Sequence, residues 1–239
     1  MNTIKFEKGN VQIVAHRGLS GLEKENTNAA FVAAGNRSYF GIETDVRKTA
    51  DGYYVLNHDA HFKRVAGENL VIAESSLALV QSVVLTDTDG TKTRADLRPG
   101  TLQNYISICK KYEKTCVLEL KDQVTREDLQ EIIAIIRDFD YLDNVVFISF
   151  EYENLTLLRE LLPNQSAQFL DFTLNEELIA RAAADGLDLD IRHTDLTPEL
   201  IEKAHAAGLK VNCWTVNTKE DGERLASWGV DFITTNILE

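Results

Sequence analysis

Four residues in the first part of the chain have the types and spacing to do chemistry. Glu43 and Asp45 stand two apart in the run Ile42-Glu43-Thr44-Asp45-Val46, and His16 and His58 bracket them. In a strand, residues i and i+2 point to the same face. Two carboxylates on one face of a half-buried strand repel each other and lose hydration together unless positive charge joins them. A divalent cation meets that need, and hard oxygen donors suit Mg²⁺ or Ca²⁺ better than zinc. The competing reading is an edge strand, with Glu43 and Asp45 solvated and Ile42, Thr44 and Val46 toward the core. Alternation alone does not separate the two. The histidines weigh against the edge strand: His16 follows the run VQIVA and His58 follows YYVLN. Each therefore sits just past a predicted strand, where polar groups held by a scaffold stay open to ligands.

Other residues add to this set. Glu119 lies in TCVLELK, an apolar run where an isolated acid is costly, and Lys121 shares its face at i+2 as an ion-pair partner. Arg17 directly follows His16; its guanidinium suits bidentate phosphate contact, although a surface ion pair is the commoner fate of arginine. Gly18 fits a tight turn or a close backbone approach. Glu25 and Asn26 precede an Ala-rich helix and could cap it.

The elements that must position these residues repeat in a simple order. From residue 115 onward each predicted strand is followed by a helix. In the first such helix Leu129, Ile132, Ile133 and Ile136 fall at i, i+3, i+4 and i+7. NVVFIS precedes a Leu-rich helix that stops at Pro163, and SAQFL precedes one that Asn175 caps and Gly186 ends. LDLDI precedes a helix with Thr197 at the cap, Pro198 in the first turn and Gly208 past the end. LKVNCWT and a further helix follow, and DFITT closes the series. Such alternation implies an α/β fold with a parallel sheet covered by helices. No Gly-rich phosphate loop follows the first strand, which disfavours a dinucleotide-binding sheet. Functional residues past several different strands are how a (β/α)8 TIM-type barrel builds a site at one end. Between Asp45 and His58 there is no room for a helix, and Asp51-Gly52 is a hairpin signal. A turn with Ala50 opposite Tyr53 places Asp45 opposite His58; a parallel third strand after a short extended return is the alternative. Residues 60–100 break the alternation, and the whole chain reads as one domain spanning 1–239.

Composition narrows the partners. A net charge of −13 over 239 residues argues against nucleic acid and against docking to anionic membranes. A small anionic substrate is compatible with it if the pocket supplies local positive charge. The N-terminus has no secretory pattern, and no run approaches the ~18 apolar residues of a membrane span. Cys109, Cys116 and Cys213 have no metal-type spacing and read as free thiols in a reducing, cytoplasmic setting. The oligomeric state is left open.

HRG (16–18), ENT (25–27), IETDV (42–46), TADG (49–52) and NHD (57–59), in this order, resemble the glycerophosphodiester phosphodiesterases. The resemblance continues through LELK (118–121), SF (149–150), WTVN (214–217) and GVDFITT (229–235). It implies a (β/α) barrel in which residues 60–100 are a small insertion after the third strand, and hydrolysis of glycerophosphodiesters to sn-glycerol 3-phosphate and an alcohol. It makes Glu43, Asp45 and Glu119 the ligands of one Mg²⁺ or Ca²⁺, and Arg17 and Lys121 phosphate-facing charges. Trp214 becomes a contact to the glycerol or alcohol portion, with ordinary barrel packing as the competing role. His16 and His58 become the general acid and base, in an order the sequence does not give. EKEN replaces the family's PEN, and Asn236 stands where an acid is common, which points to the closing of the last loop more than to chemistry. His193 follows a strand and is a candidate for the barrel mouth, whereas His205 reads as a surface residue. Three readings compete: a lysophospholipase D-like activity on lysolipids, a barrel that binds glycerophosphodiesters without turnover, and an enolising metalloenzyme with Lys121 as its base.

Overall fold

The computed structural model describes residues 2–239. Its strands are β1 (Gln12–Ala15), β2 (Gly41–Lys48), β3 (Tyr54–Leu56), β4 (Thr115–Leu120), β5 (Val145–Ser149), β6 (Ala167–Asp171), β7 (Asp188–Arg192), β8 (Val211–Trp214) and β9 (Phe232–Thr235). All but β3 pair in parallel in the order β1-β9-β8-β7-β6-β5-β4-β2, and β1 also pairs with β2, which closes the ring. This is an eight-stranded parallel barrel with one extra strand, β3, bonded antiparallel to β2.

Residue alternation on the strands separates two environments. Ile42 and Val46 of β2 face outward into the shell of helices, whereas Val14, Val117, Ile148, Leu170 and Phe232 form a cluster of their own. The edge-strand reading therefore fails, because Glu43 and Asp45 are 2% and 0% exposed. The helices are α1 (Asn28–Gly35), α2 (Lys63–Ala66), α3 (Leu77–Ser82), α4 (Leu102–Lys111), α5 (Arg126–Asp138), α6 (Tyr152–Leu161), α7 (Glu176–Ala184), α8 (Pro198–Ala206) and α9 (Lys219–Trp228). Capping follows the sequence: Asn175 and Thr197 accept from the third residue of α7 and α8, and Pro198 opens α8. The four apolar residues at 3.6-residue spacing are the buried stripe of α5.

Two local features position the site. Residues 46–56 do form a hairpin, but one residue out of the expected register. Thr49 rather than Ala50 faces Tyr53, and its N–H donates to the Tyr53 carbonyl (2.8 Å). Gly52 takes φ +88°, so the loop has three residues and ends on a left-handed glycine, a common hairpin solution. Asp45 therefore accepts from the N–H of Asn57 (3.0 Å), and His58 lies one residue beyond. Residues 60–100 carry α2 and α3, and Phe62, Val65, Ile72, Val80 and Leu97 bury together with Val55 in a cluster separate from the main core. That cluster holds α2 against the end of β3, next to His58.

Candidate active site

The loop after β1 is fitted to a narrow space. Gly18 has φ +78°, and a Cβ there would come within 2.7 Å of the Ala30 backbone, so both expected roles of this glycine are met. Arg17 and Asn26 also adopt left-handed φ angles (55° and 56°), a strained choice for residues with side chains. Their contacts hold them there. The Arg17 N–H donates to Glu43 Oε2 (2.7 Å), and Asn26 Nδ2 donates to Asp45 Oδ2 (2.8 Å). Arg17 spans Asp45 (Nε to Oδ2, 3.3 Å) and Glu25 (2.9 Å).

Glu43, Asp45 and Glu119 each present an oxygen within 4.8 Å of the other two. Lys121 Nζ donates to Glu119 Oε1 (2.8 Å) and lies 3.5 Å from Asp45 Oδ1. The ion pair and the acidic trio thus coexist. Burial opposes ionisation of all three acids. At Asp45 the charges of Arg17 and Lys121 overcome it and hold the carboxyl well below its usual range. At Glu43 burial, then Asp45, raises it, and Glu119 is pushed up to about 8 by burial and then Asp45. Glu43 Oε1 and Asp45 Oδ1 are buried with no hydrogen-bond partner. An orphaned Glu43 oxygen, and an Asp45 oxygen with only the longer ion pair to Lys121, on mutually repelling acids are what a hard divalent cation would satisfy, so the donor set fits one.

The two histidines have different supports. His16 Nδ1 lies 2.7 Å from Asn236 Oδ1, an oxygen that can only accept, so the ring proton sits on Nδ1 and Nε2 keeps its lone pair. Nε2 lies 3.9 Å from Glu43 Oε2. Burial, then the charge of Arg17, lowers the imidazole to about 4. His58 Nδ1 is 2.7 Å from Asp59 Oδ1, and its side chain is 36% exposed. Arg64 of α2 donates to Asp59 (2.8 Å) and, through both terminal nitrogens, to Glu25 (2.7 and 2.9 Å). One arginine of the inserted segment therefore holds the carboxylate beside His58 and the one beside Arg17.

A pocket opens among His16, Arg17, Glu43, His58, Glu119 and Trp214, with Asp190 also in its wall. The eight residues given catalytic, metal or substrate roles from the sequence converge here, Asp45 and Lys121 through their contacts to Arg17 and Glu119. Trp214 Nε1 donates to the Asp190 carbonyl (3.1 Å), and its ring packs edge-on against Phe150 and Phe172. His193 falls outside the pocket, in a short 3₁₀ turn after β7, and His205 pairs with Asp231 (3.0 Å) at the surface. Asn236 does more than close a loop, since it fixes the His16 ring. Asp190 was not anticipated, although LDLDI repeats the i, i+2 acid spacing of IETDV. Arg64 carried no recognisable motif signal.

The model of the glycerophosphoryl diester phosphodiesterase family matches residues 16–239. The chain belongs to the glycerophosphodiester phosphodiesterase family. It is an enzyme of that class, a phosphoric diester hydrolase. Protein YqiK of Bacillus subtilis (strain 168) is 28% identical over 233 residues, covering 95% of this chain and 96% of that protein. The glycerophosphodiester phosphodiesterase of Caldanaerobacter subterraneus subsp. tengcongensis is 27% identical over 227 residues, covering 94% and 93%. An Oleispira antarctica phosphodiesterase, solved with the product sn-glycerol 3-phosphate, superposes with a TM-score of 0.83 at 24% identity over 94% of this chain and 92% of that one. No helix among the described residues is long and apolar enough to cross a membrane.

Proposed function

We propose that this chain hydrolyses glycerophosphodiesters to sn-glycerol 3-phosphate and an alcohol, with Mg²⁺ or Ca²⁺ held by Glu43, Asp45 and Glu119. The observation that carries this reading is the buried trio of Glu43, Asp45 and Glu119, each with an oxygen within 4.8 Å of the other two and Glu43 Oε1 without a partner, beside a pocket lined by both histidines. When bound, the cation would supply Lewis-acid polarisation and charge neutralisation at the phosphoryl group. Arg17 and Lys121 add fixed positive charge where negative charge develops. His16 is the general base: its Nδ1 proton is committed to Asn236, so the pocket-facing Nε2 accepts a proton from the attacking hydroxyl or water. His58 is the general acid: burial lowers its pKa, but Asp45 and the Asp59 carboxylate 2.7 Å from Nδ1 favour the protonated ring that gives its proton to the leaving alkoxide. Trp214 forms the wall against which the organic part of the substrate lies.

A lysolipid substrate is the second reading, favoured by Phe172. This ring is 50% exposed and stacks on Phe150 (5.2 Å), giving the pocket one apolar lip. Assay of glycerophosphocholine, glycerophosphoethanolamine and a lysophosphatidylcholine in parallel, with coupled detection of glycerol 3-phosphate and of free choline, tests both. Glycerol 3-phosphate from the soluble diesters is the expected result. Choline from the lysolipid alone would move the assignment to the second reading.

A further inference from the structure

Asp190 is the one acid of the pocket wall that the mechanism leaves idle. It is 1% exposed, and its Oδ1 has no hydrogen-bond partner. Its polar neighbours do not serve it. Asn212, its register partner on β8, donates to Gln168 Oε1 (3.1 Å) and accepts from Thr234 (3.2 Å), so that network is complete without Asp190. The main chain of Asp190 has a structural job, since its carbonyl accepts the Trp214 indole N–H. The carboxyl has none. A buried polar group without a partner is costly, and such groups are kept where a ligand supplies the missing partner.

Ring order fixes what that ligand group can be. β7 lies four strands from β2 in either direction round the barrel, so Asp190 stands diametrically across from Glu43 and Asp45. Arg17 and Lys121 both pair with Asp45, so the positive charge that draws a phosphate is on the β2 side. Among the described residues no cation pairs with Asp190, and burial, then the neighbouring Glu119, raises its carboxyl well above the usual range. A neutral, deeply buried carboxyl repels no anion, and it both donates and accepts one hydrogen bond. That matches a neutral hydroxyl and not an ammonium group.

We propose that Asp190 binds a hydroxyl of the substrate's glycerol portion, and so makes the pocket specific for a hydroxylated phosphoester. The proposal rests on the reading of the site given above. A site built to pair with a hydroxyl discriminates strongly against the analogue that lacks it. The test is calorimetric binding of sn-glycerol 3-phosphate and of n-propyl phosphate to the wild type, D190A and D190V, whose side chains neither donate nor accept, all saturated with Mg²⁺, with thermal melting of each protein. The wild type should prefer glycerol 3-phosphate by about tenfold, and each variant should lose that preference by weakening glycerol 3-phosphate alone. Melting temperatures should stay level or rise, since an orphaned buried carboxyl has been removed. Equal weakening of both ligands, or unchanged binding of both, overturns the role of Asp190 alone. Unchanged binding of glycerol 3-phosphate with a raised KM for glycerophosphoethanolamine overturns it in favour of an ammonium contact. A wild type that binds neither ligand overturns the underlying reading, and the proposal with it.

Discussion

His16 and His58 look alike in the sequence, each just past a strand, yet the fold supports them by different means. His16 belongs to the barrel. Its ring is fixed by Asn236 at the end of β9, and the Ser20 hydroxyl lies 2.7 Å from the His16 carbonyl and 2.8 Å from the same Asn236 oxygen. Every group in that support is neutral. His58 hangs from a chain of ion pairs running through Asp59, Arg64 and Glu25 to Arg17, and the central arginine comes from the inserted segment. The barrel thus sets one histidine by hydrogen bonds in a buried place, and the insertion sets the other by charge at a wetter one. The lesson is that equal motifs can have unequal fragility.

Loss of either ring tests the comparison most coarsely. His16→Ala and His58→Ala should each lower kcat/KM by about 10³-fold, the range of a general acid or base. A far smaller loss for His58 in steady-state assays would leave His16 as the one essential proton carrier. Removing the supports is more discriminating. Asn236→Ala and Arg64→Ala should each cost about tenfold in kcat, one orienting hydrogen bond's worth, with KM affected more by Arg64→Ala because Arg17 loses its tether too. Arg64→Lys should recover only part, since an ammonium cannot bond Asp59 and both Glu25 oxygens as the guanidinium fork does. Equal recovery by lysine would mean that charge alone matters there.

The pH profile separates the two sides further. Burial keeps His16 neutral down to about 4. In Asn236→Asp a carboxylate would face Nδ1 and favour the protonated ring, so its pKa rises. If His16 is the base, as proposed, it is then lost at higher pH, and the acidic limb of kcat/KM should move up by about one unit. No movement would separate that limb from His16.

The smallest effect belongs to the chain end beyond Asn236. Glu239 is held by Thr3 (2.7 Å), Ser38 (2.8 Å) and Lys5 (3.0 Å). Burial opposes its ionisation, but these contacts outweigh it and lower the carboxyl to about 2. A carboxyl depressed in the folded state stabilises above its unfolded pKa near 4.5 and loses that contribution as pH falls toward 2. Glu239→Gln should therefore lower stability by about 1 kcal/mol at pH 7, a difference that shrinks through that window, as urea unfolding would record. Its kcat/KM at pH 7 should match the wild type, because Asn236 is tied separately to Asn217 and Gly21.

How much of this was legible depended on whether the signal was local. The α5 stripe, the Asn175 and Thr197 caps and the Glu43/Asp45 pair were readable because periodicity and spacing act over a few residues. The hairpin was recognised and its register missed by one, since Asp51-Gly52 fits a two-residue turn as well as the three-residue loop that Gly52 in fact closes. The roles of Asn236 and Arg64 beside the histidines escaped for another reason. Each acts on a residue distant in sequence, Asn236 on His16 across 220 positions and Arg64 on Glu25 across 39, and no spacing rule spans such gaps. Asp190 sat in a pattern already used to find Glu43 and Asp45. Only the strand order showed that it faces the same pocket from the opposite wall.

The most direct test of the account is glycerol 3-phosphate release from glycerophosphocholine by EDTA-treated protein, before and after return of Mg²⁺ or Ca²⁺, beside Glu119→Gln. The account predicts no release in EDTA, recovery on adding the metal, and a higher metal requirement for the variant. Release that is indifferent to EDTA, or a folded protein that stays inactive with either metal, would contradict it.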